Sequence, residues 1–370
     1  TGKTDATKLI LGRVPQKGER IGQLDDVFTA GDAKYAARAE LEAFGQFKYP
    51  LLVIAVDRQE VGIDGKSAIV EYERKTGTSV VSVVRATDVL EYLKEQLSDD
   101  PQESVVQKRI ERLSNYLRVY GTEEARNDVG KLEQTIIAQD RSVIPACDVE
   151  TLEQFGELVK QTAGVEGIGG YKIGFEVGYD KGLKAAVDLA RTHTDKPIIL
   201  DHQKAGSDIP DTGKNFARAA RRAGIDAVII FPQAGPETAR AWIYHALDHG
   251  LKVIVGGRMT HPAYAVSEGG WITDEGAMEM YAIAARAGVR HFVVPGNKPD
   301  VIKQVRERVG QEGVTHPVFY GPGLGVGQGG DTAAAREAAG TRFNAIVGRG
   351  IYGARDIKAA ACDQVAQLRS

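Results

Sequence analysis

The segment DHQKAGSDIPDTG, residues 201–213, sets a lysine between two aspartates directly after the apolar run PIIL, residues 197–200. Carboxylates close to an ammonium keep it protonated, because nearby negative charge favours the charged form. Lys204, flanked by Asp201 and Asp208, is therefore a poor Schiff-base nucleophile and a good proton donor. Such a donor suits the quenching of a carbanion, and a carboxylate pressed against a substrate carboxylate would destabilise the bound ground state. The competing reading is a structural ion network, since buried charges cost desolvation unless they pair.

A cluster of this kind needs a rigid frame. From about residue 140, short apolar runs recur: 142–147, 171–174, 196–201, 226–231, 251–256, 290–295, 316–321 and 344–348. Amphipathic stretches such as ETARAWIYHALDHG separate them. Buried parallel strands alternating with helices have this texture. Eight such units predict an α/β fold, a (β/α)8 TIM barrel over 141–370, with an open doubly wound sheet as the competing arrangement. In a barrel, chemistry belongs at the carboxyl ends of strands. The polar residues fall there: Asp148 after the first run, Lys172 within the second, Asp201 ending the third, Thr260-His261-Pro262 after the fifth.

The last two strand ends predict a phosphate site. GPGLGVGQGGD follows the seventh run, and Gly348-Arg349 the eighth. Glycines let backbone N–H groups approach an anion, Gln328 offers an amide donor, and Arg349 a bidentate fork. The plainer alternative is a surface loop beside a surface arginine. A metal set of Asp201, His202 and His261 is conceivable, but the seven histidines show no ligand spacing, so no metal is expected.

Residues 1–97 differ. They read as strand, acidic turn, helix, strand, loop, strand, helix: a small partial α/β unit. Residues 98–140 read as a helical connector, with PQESVVQKRIERLSNYLRVYG as its clearest amphipathic helix. The opening TGKT lacks the preceding strand and the spacing of a P-loop. A net charge of −3 over 370 residues gives no electrostatic reason to expect nucleic acid or an anionic membrane as partner. Two cysteines cannot build a disulfide framework, which makes a reducing cytoplasm the expectation. No apolar run approaches the ~20 residues that span a bilayer.

DHQKAGSDIPDTG resembles the core motif of orotidine 5′-monophosphate decarboxylases, Asp-x-Lys-x-x-Asp-Ile-Pro-x-Thr. ACD at 146–148, YKIG at 171–174, RMTHP at 258–262, PGLGVGQGGD at 322–331 and IVGRGIY at 346–352 extend the resemblance in order over roughly 141–370. The resemblance implies cofactor-free decarboxylation of orotidine 5′-monophosphate to uridine 5′-monophosphate. Asp148 would contact the ribose, and Lys172 the ribose and Asp201. Asp201 would face the departing carboxylate, and Lys204 would protonate C6. Asp208, Ile209 and Thr212 would reach into a neighbouring subunit's site, making a homodimer. Thr260 would read the pyrimidine edge. Gln328, Gly348 and Arg349 would hold the phosphate, under a closing loop at about 322–331. This chain spaces its charges Asp-x-x-Lys-x-x-x-Asp, one residue wider on each side of Lys204. Residues three apart on a strand do not share a face, so the backbone must bulge or have left the strand. The alternatives are a sugar-phosphate decarboxylase or synthase of the same barrel superfamily, or a non-catalytic nucleotide-binding protein.

LDDVFTAGDA (24–33) resembles the ribose-phosphate loop of type I phosphoribosyltransferases, and VDRQEVG (56–62) the orotate-contacting segment of orotate phosphoribosyltransferases. The resemblance covers the C-terminal half of that fold. It implies Asp25 and Asp26 near ribose hydroxyls, the turn from Thr29 through Gly31 at a 5′-phosphate, and Arg58 on orotate. A remnant serving stability or dimerisation is the favoured reading, and a transferase completed by a missing half is the other.

Overall fold

The computed structural model describes residues 13–28, 32–62, 66–95, 103–130, 135–201, 206–324 and 329–369. The chain divides into two compact units, 1–130 and 131–370.

Unit 1 holds β1 (Arg20–Phe28), α1 (Asp32–Glu42), β2 (Lys48–Asp57), α2 (Ala68–Thr76), β3 (Ser79–Arg85), α3 (Ala86–Glu95), α4 (Glu103–Tyr120) and α5 (Glu123–Val129). The three strands are parallel, in the order β1-β2-β3. Two expectations need correction. The acidic pair Asp25-Asp26 lies inside β1 rather than in a turn after it. The stretch between β2 and β3, read as a loop, contains helix α2. Its start is capped by Ser67, whose side chain accepts from the Val70 N–H, and its end by Gly77 in the left-handed region at φ 67°. Tyr72 of α2 carries the packing that justifies the helix. It meets Phe28 edge-on with ring centroids 5.4 Å apart and joins a core with Leu52 and Ile54. A second core, built on Leu90, Ile110, Leu117 and Ala125, binds α3, α4 and α5 together.

In unit 2, β4 (Arg141–Pro145), α6 (Leu152–Thr162), β5 (Tyr171–Ile173), α7 (Phe175–Asp180), α8 (Leu183–Arg191), β6 (Ile198–Leu200) and α9 (Thr212–Ala223) form the first part. Then come β7 (Ala227–Ile230), α10 (Pro236–Asp248), β8 (Lys252–Gly256), α11 (Asp274–Arg286), β9 (His291–Val293), α12 (Pro299–Gln311), β10 (Val318–Gly321), α13 (Thr332–Ala339), β11 (Phe343–Val347), α14 (Arg349–Tyr352) and α15 (Ile357–Arg369). Each of the eight apolar runs overlaps a strand; β4 and β11 begin one residue before theirs. The sheet runs β4-β11-β10-β9-β8-β7-β6-β5, all parallel. Bridges between Val143 and Ile168 and between Ala146 and Lys172 bring β4 back to the β5 side, so the sheet closes as a (β/α)8 barrel. Ile144, Ile199, Ile229, Ile254, Tyr320 and Ile346 fill its interior. Each such side chain contributes about 1.5–3 kcal/mol by leaving water. Among the described residues, no helix is long and apolar enough to cross a membrane.

Candidate active site

β5 is only three residues long, and its alternation decides what faces inward. Tyr171 packs outward, where its hydroxyl meets Thr162 of α6 at 3.0 Å. Lys172 points the other way and lines a cavity of about 200 Å³ at the carboxyl ends of the strands. Its Nζ donates to Asp201 Oδ2 at 2.9 Å and to Asp148 Oδ1 at 3.4 Å. Burial opposes the charge of Lys172, yet Asp201, and after it Asp148, hold the ammonium above lysine's ordinary range. Asp201 is nearly buried, and among the described residues its Oδ1 accepts no hydrogen bond. Asp148 reaches solvent. A Cβ on Gly174 would stand 2.7 Å from Asp148 Oδ1, so only glycine leaves that carboxylate its place. Burial first, and Asp148 second, push the neighbouring Cys147 thiol up, which removes it as a nucleophile.

β6 ends at Leu200, while the Asp201 N–H still donates to Ile173 of β5 at 2.9 Å. Asp201 itself stands just past the strand. Lys204 lies outside the described residues, as does His202. On its far side Gly206 adopts φ 88°, and a Cβ there would meet Ile230 Cγ2 at 2.7 Å and the Pro232 backbone at 2.9 Å.

The turn after it is tied to α10. Thr238 Oγ1 donates to the Asp208 carbonyl at 2.9 Å, and Trp242 Nε1 to that of Ile209 at 3.1 Å. Thr212 Oγ1 also donates to the Ile209 carbonyl, at 2.7 Å. With the backbone held inward, the Asp208 and Ile209 side chains face outward, Ile209 with 61% of its surface exposed. Asp208, Ile209 and Thr212 do not line the cavity of their own chain.

Thr260, Gly323 and Gly348 do line it. Asn297 fixes Thr260 by donating to its carbonyl at 3.0 Å. Gly323, at φ 90°, has no room for a Cβ, which would stand 2.8 Å from Thr260 Cγ2. Gln328 lies outside the described residues; a parallel bridge between Leu324 and Gly330 pairs the two flanks of its loop. Arg349 starts α14, is exposed, and makes no side-chain hydrogen bond or ion pair among the described residues.

Arg258 received no role from the sequence. It is a cavity-lining guanidinium only 5% exposed, paired with Asp274 at 2.6 Å and Glu268 at 3.1 Å. Glu268 also binds Lys298 at 2.6 Å. The available signal was an arginine at a strand end followed by two acids ten and sixteen residues on.

In unit 1, Asp25 is engaged by Lys34 at 2.7 Å, and that bond foremost lowers its pKa. Asp26 is exposed. Arg58 pairs with Glu60 at 2.6 Å and bonds the Tyr116 hydroxyl of α4. Thr29 and Gly31 lie outside the described residues.

A closed parallel barrel with charged residues lining a cavity at the carboxyl ends of its strands defines the class. The family follows from comparison: the profile described as orotidine 5′-phosphate decarboxylase / HUMPS family matches residues 141–363, more than half of the chain, and the chain belongs to that family. The orotidine 5′-phosphate decarboxylase of Methanosarcina mazei is 30% identical over 228 residues, 62% of this chain and 95% of that protein. The crystal structure of orotidine 5′-monophosphate decarboxylase from Methanocaldococcus jannaschii, complexed with the inhibitor BMP, shares the fold. Its TM-score is 0.55 at 22% identity, covering 62% of this chain and 99% of that one. Unit 1 is similar to the orotate phosphoribosyltransferase of Clostridium acetobutylicum, 30% identical over 113 residues, which are 30% of this chain but 50% of that enzyme.

Proposed function

We propose that the barrel decarboxylates orotidine 5′-monophosphate to uridine 5′-monophosphate in pyrimidine biosynthesis, without a cofactor. The observation that carries this reading is the Asp148–Lys172–Asp201 array lining the cavity at the strand ends of a chain in this family. The C6–carboxylate bond breaks, carbon dioxide leaves, and the electron pair stays on C6. The Lys204 ammonium delivers a proton to C6 and regains one from solvent. Lys172 holds one oxygen of Asp201, and the other, unpartnered among the described residues, is free to face the reacting carboxylate. Asp148 meets the ribose, Thr260 the pyrimidine edge, and Gln328, Gly348 and Arg349 the phosphate. The unengaged Arg349 guanidinium suits that role. Phosphate binding under the 322–331 loop expels water from the reacting centre.

The outward-facing Asp208 and Ile209, with Thr212 beside them, serve the site of a second copy, so the working form is a homodimer. The two free cysteines fit a reducing, cytoplasmic setting. Unit 1 is not a transferase on its own: Arg58 and Asp25 are already engaged within the unit.

The deciding experiment follows orotidine 5′-monophosphate with the purified chain, with and without chelator. Loss of substrate indifferent to chelator is expected. A chelator-sensitive reaction, or none, would move the chain to the sugar-phosphate side of its family or to nucleotide binding alone. Lys204→Ala should cost about 10²- to 10⁴-fold in turnover while nucleotide binding persists.

A further inference from the structure

Unit 1 has an open cleft of about 460 Å³ at the amino ends of its strands, away from the ends that carry Asp25 and Arg58. Arg20 opens β1 and Lys48 opens β2, and the two stand side by side in the register of the parallel pair. Arg38 reaches the same cleft from α1. Its guanidinium lies 4.3 Å from the centre of the Tyr49 ring and donates to Thr78 Oγ1 at 3.3 Å. Those contacts orient the guanidinium and leave its charge unneutralised. Elsewhere in the unit, Lys34, Arg58, Lys75 and Arg85 each meet a carboxylate. Arg20, Arg38 and Lys48 form no ion pair among the described residues. Glu19 spends both its oxygens on Arg13, and Glu42, which acts on the nearby Tyr49, pairs with none of the three. The carboxyl end of α2 comes to the cleft at Thr76 and Gly77, but a helix end carries only about half a negative charge against three cations. Like charges gathered in this way repel one another unless an anion joins them.

We propose that this cleft binds a small phosphate-bearing anion. A phosphate monoester carries about −1.5 to −2 charges at pH 7, whereas a single carboxylate would leave two of the three cations unmatched. Arg20 and Arg38 offer planar forks that fit pairs of phosphate oxygens, and Lys48 adds a compact charge beside them. Arg38 is already held in place by Tyr49 and Thr78, so little of its freedom is lost when the anion arrives. The volume of the cleft falls within the roughly 300–1,000 Å³ of small-molecule sites, which suits a phosphorylated metabolite rather than a lone ion. The proposal concerns unit 1 alone. It depends neither on the decarboxylase reading of the barrel nor on the transferase resemblance.

The test uses inorganic pyrophosphate as the probe and the full chain carrying Arg349→Ala, which removes the phosphate candidate of the barrel. Binding is read by calorimetry. Its place is read by slowed hydrogen exchange at the starts of β1 and β2 and across 76–79. The expected result is a dissociation constant below about 1 mM, weakened at least tenfold by Arg38→Gln and by Lys48→Gln. Lys48 is exposed, so its substitution, checked by circular dichroism, keeps the test valid if Arg38→Gln disturbs the fold. Arg74→Gln, at an exposed arginine of α2 outside the cleft, should leave binding unchanged. No binding in this range, binding without local protection, or an equal loss with Arg74→Gln overturns the proposal. Citrate binding as tightly as pyrophosphate overturns the phosphate assignment and gives the cleft to polycarboxylates.

Discussion

Lys172 is held by one nearly buried and one exposed carboxylate, and the asymmetry sets what its loss does. Lys172→Met would leave the nearly buried Asp201 without its one ion-pair partner among the described residues. Breaking such a pair costs about 3 kcal/mol, visible as a lower melting temperature and turnover reduced by orders of magnitude. The raised pKa of Lys172 fixes the sign with pH. Below the unfolded value of about 10.4 both states carry the proton, so the contribution is fully present; it is lost only as pH rises through the higher folded value. The stability difference between the unaltered chain and Lys172→Met should therefore stay constant between about pH 6 and 9. A difference that changes across that range would contradict the assignment. At Gly206, the left-handed backbone and the close Pro232 backbone leave alanine nowhere to go. Gly206→Ala should cost about 2 kcal/mol or more, measured by denaturant titration.

The excursion between β8 and α11 depends on Arg258, which joins the strand end to Glu268 and Asp274. For Glu268, burial works upward but Lys298 and Arg258 prevail and lower its pKa; for Asp274, Ser267 first and Arg258 next do the same. Lowered carboxylate values mean that this contribution is present above the ordinary range and fails as pH falls below about 4. Arg258→Met should cost about 2 kcal/mol and raise KM more than it lowers kcat, because Thr260 sits at the base of the same segment. An equal fall in kcat and kcat/KM would instead place Arg258 in the transition state. At this scale the sequence was uneven. The eight barrel strands were readable because a strand buried on both faces is a continuous apolar run. Helix α2 was not, because nine residues give too little periodicity, and its commitment comes from Tyr72 packing on Phe28 and Leu52.

For the molecule as a whole, sharing of sites between copies makes a sharp prediction. Lys204→Ala and Asp208→Asn chains should each be nearly inactive, and mixing them should restore measurable turnover, because one site of the hybrid dimer would carry both native residues. No recovery would remove the cross-subunit role of Asp208. The full chain alone should form no nucleotide from orotate and phosphoribosyl pyrophosphate, and turnover above background would reverse that reading. The sequence by itself determined the eight strands and the residue types at their carboxyl ends and favoured a barrel over an open sheet, because local apolar periodicity and strand-end placement are written in the chain; the closure of the sheet was decided by the structure. The resemblance implied the Lys172–Asp201 contact, 29 positions apart; only the tertiary structure added Asp148, 24 positions away, to the same ammonium. Only it showed that Arg258 is clamped by two acids, and that Arg20, Arg38 and Lys48 converge on one cleft. Ion pairs and clefts depend on which distant segments arrive beside one another, and that is settled by the packing of the whole chain rather than by any stretch of it.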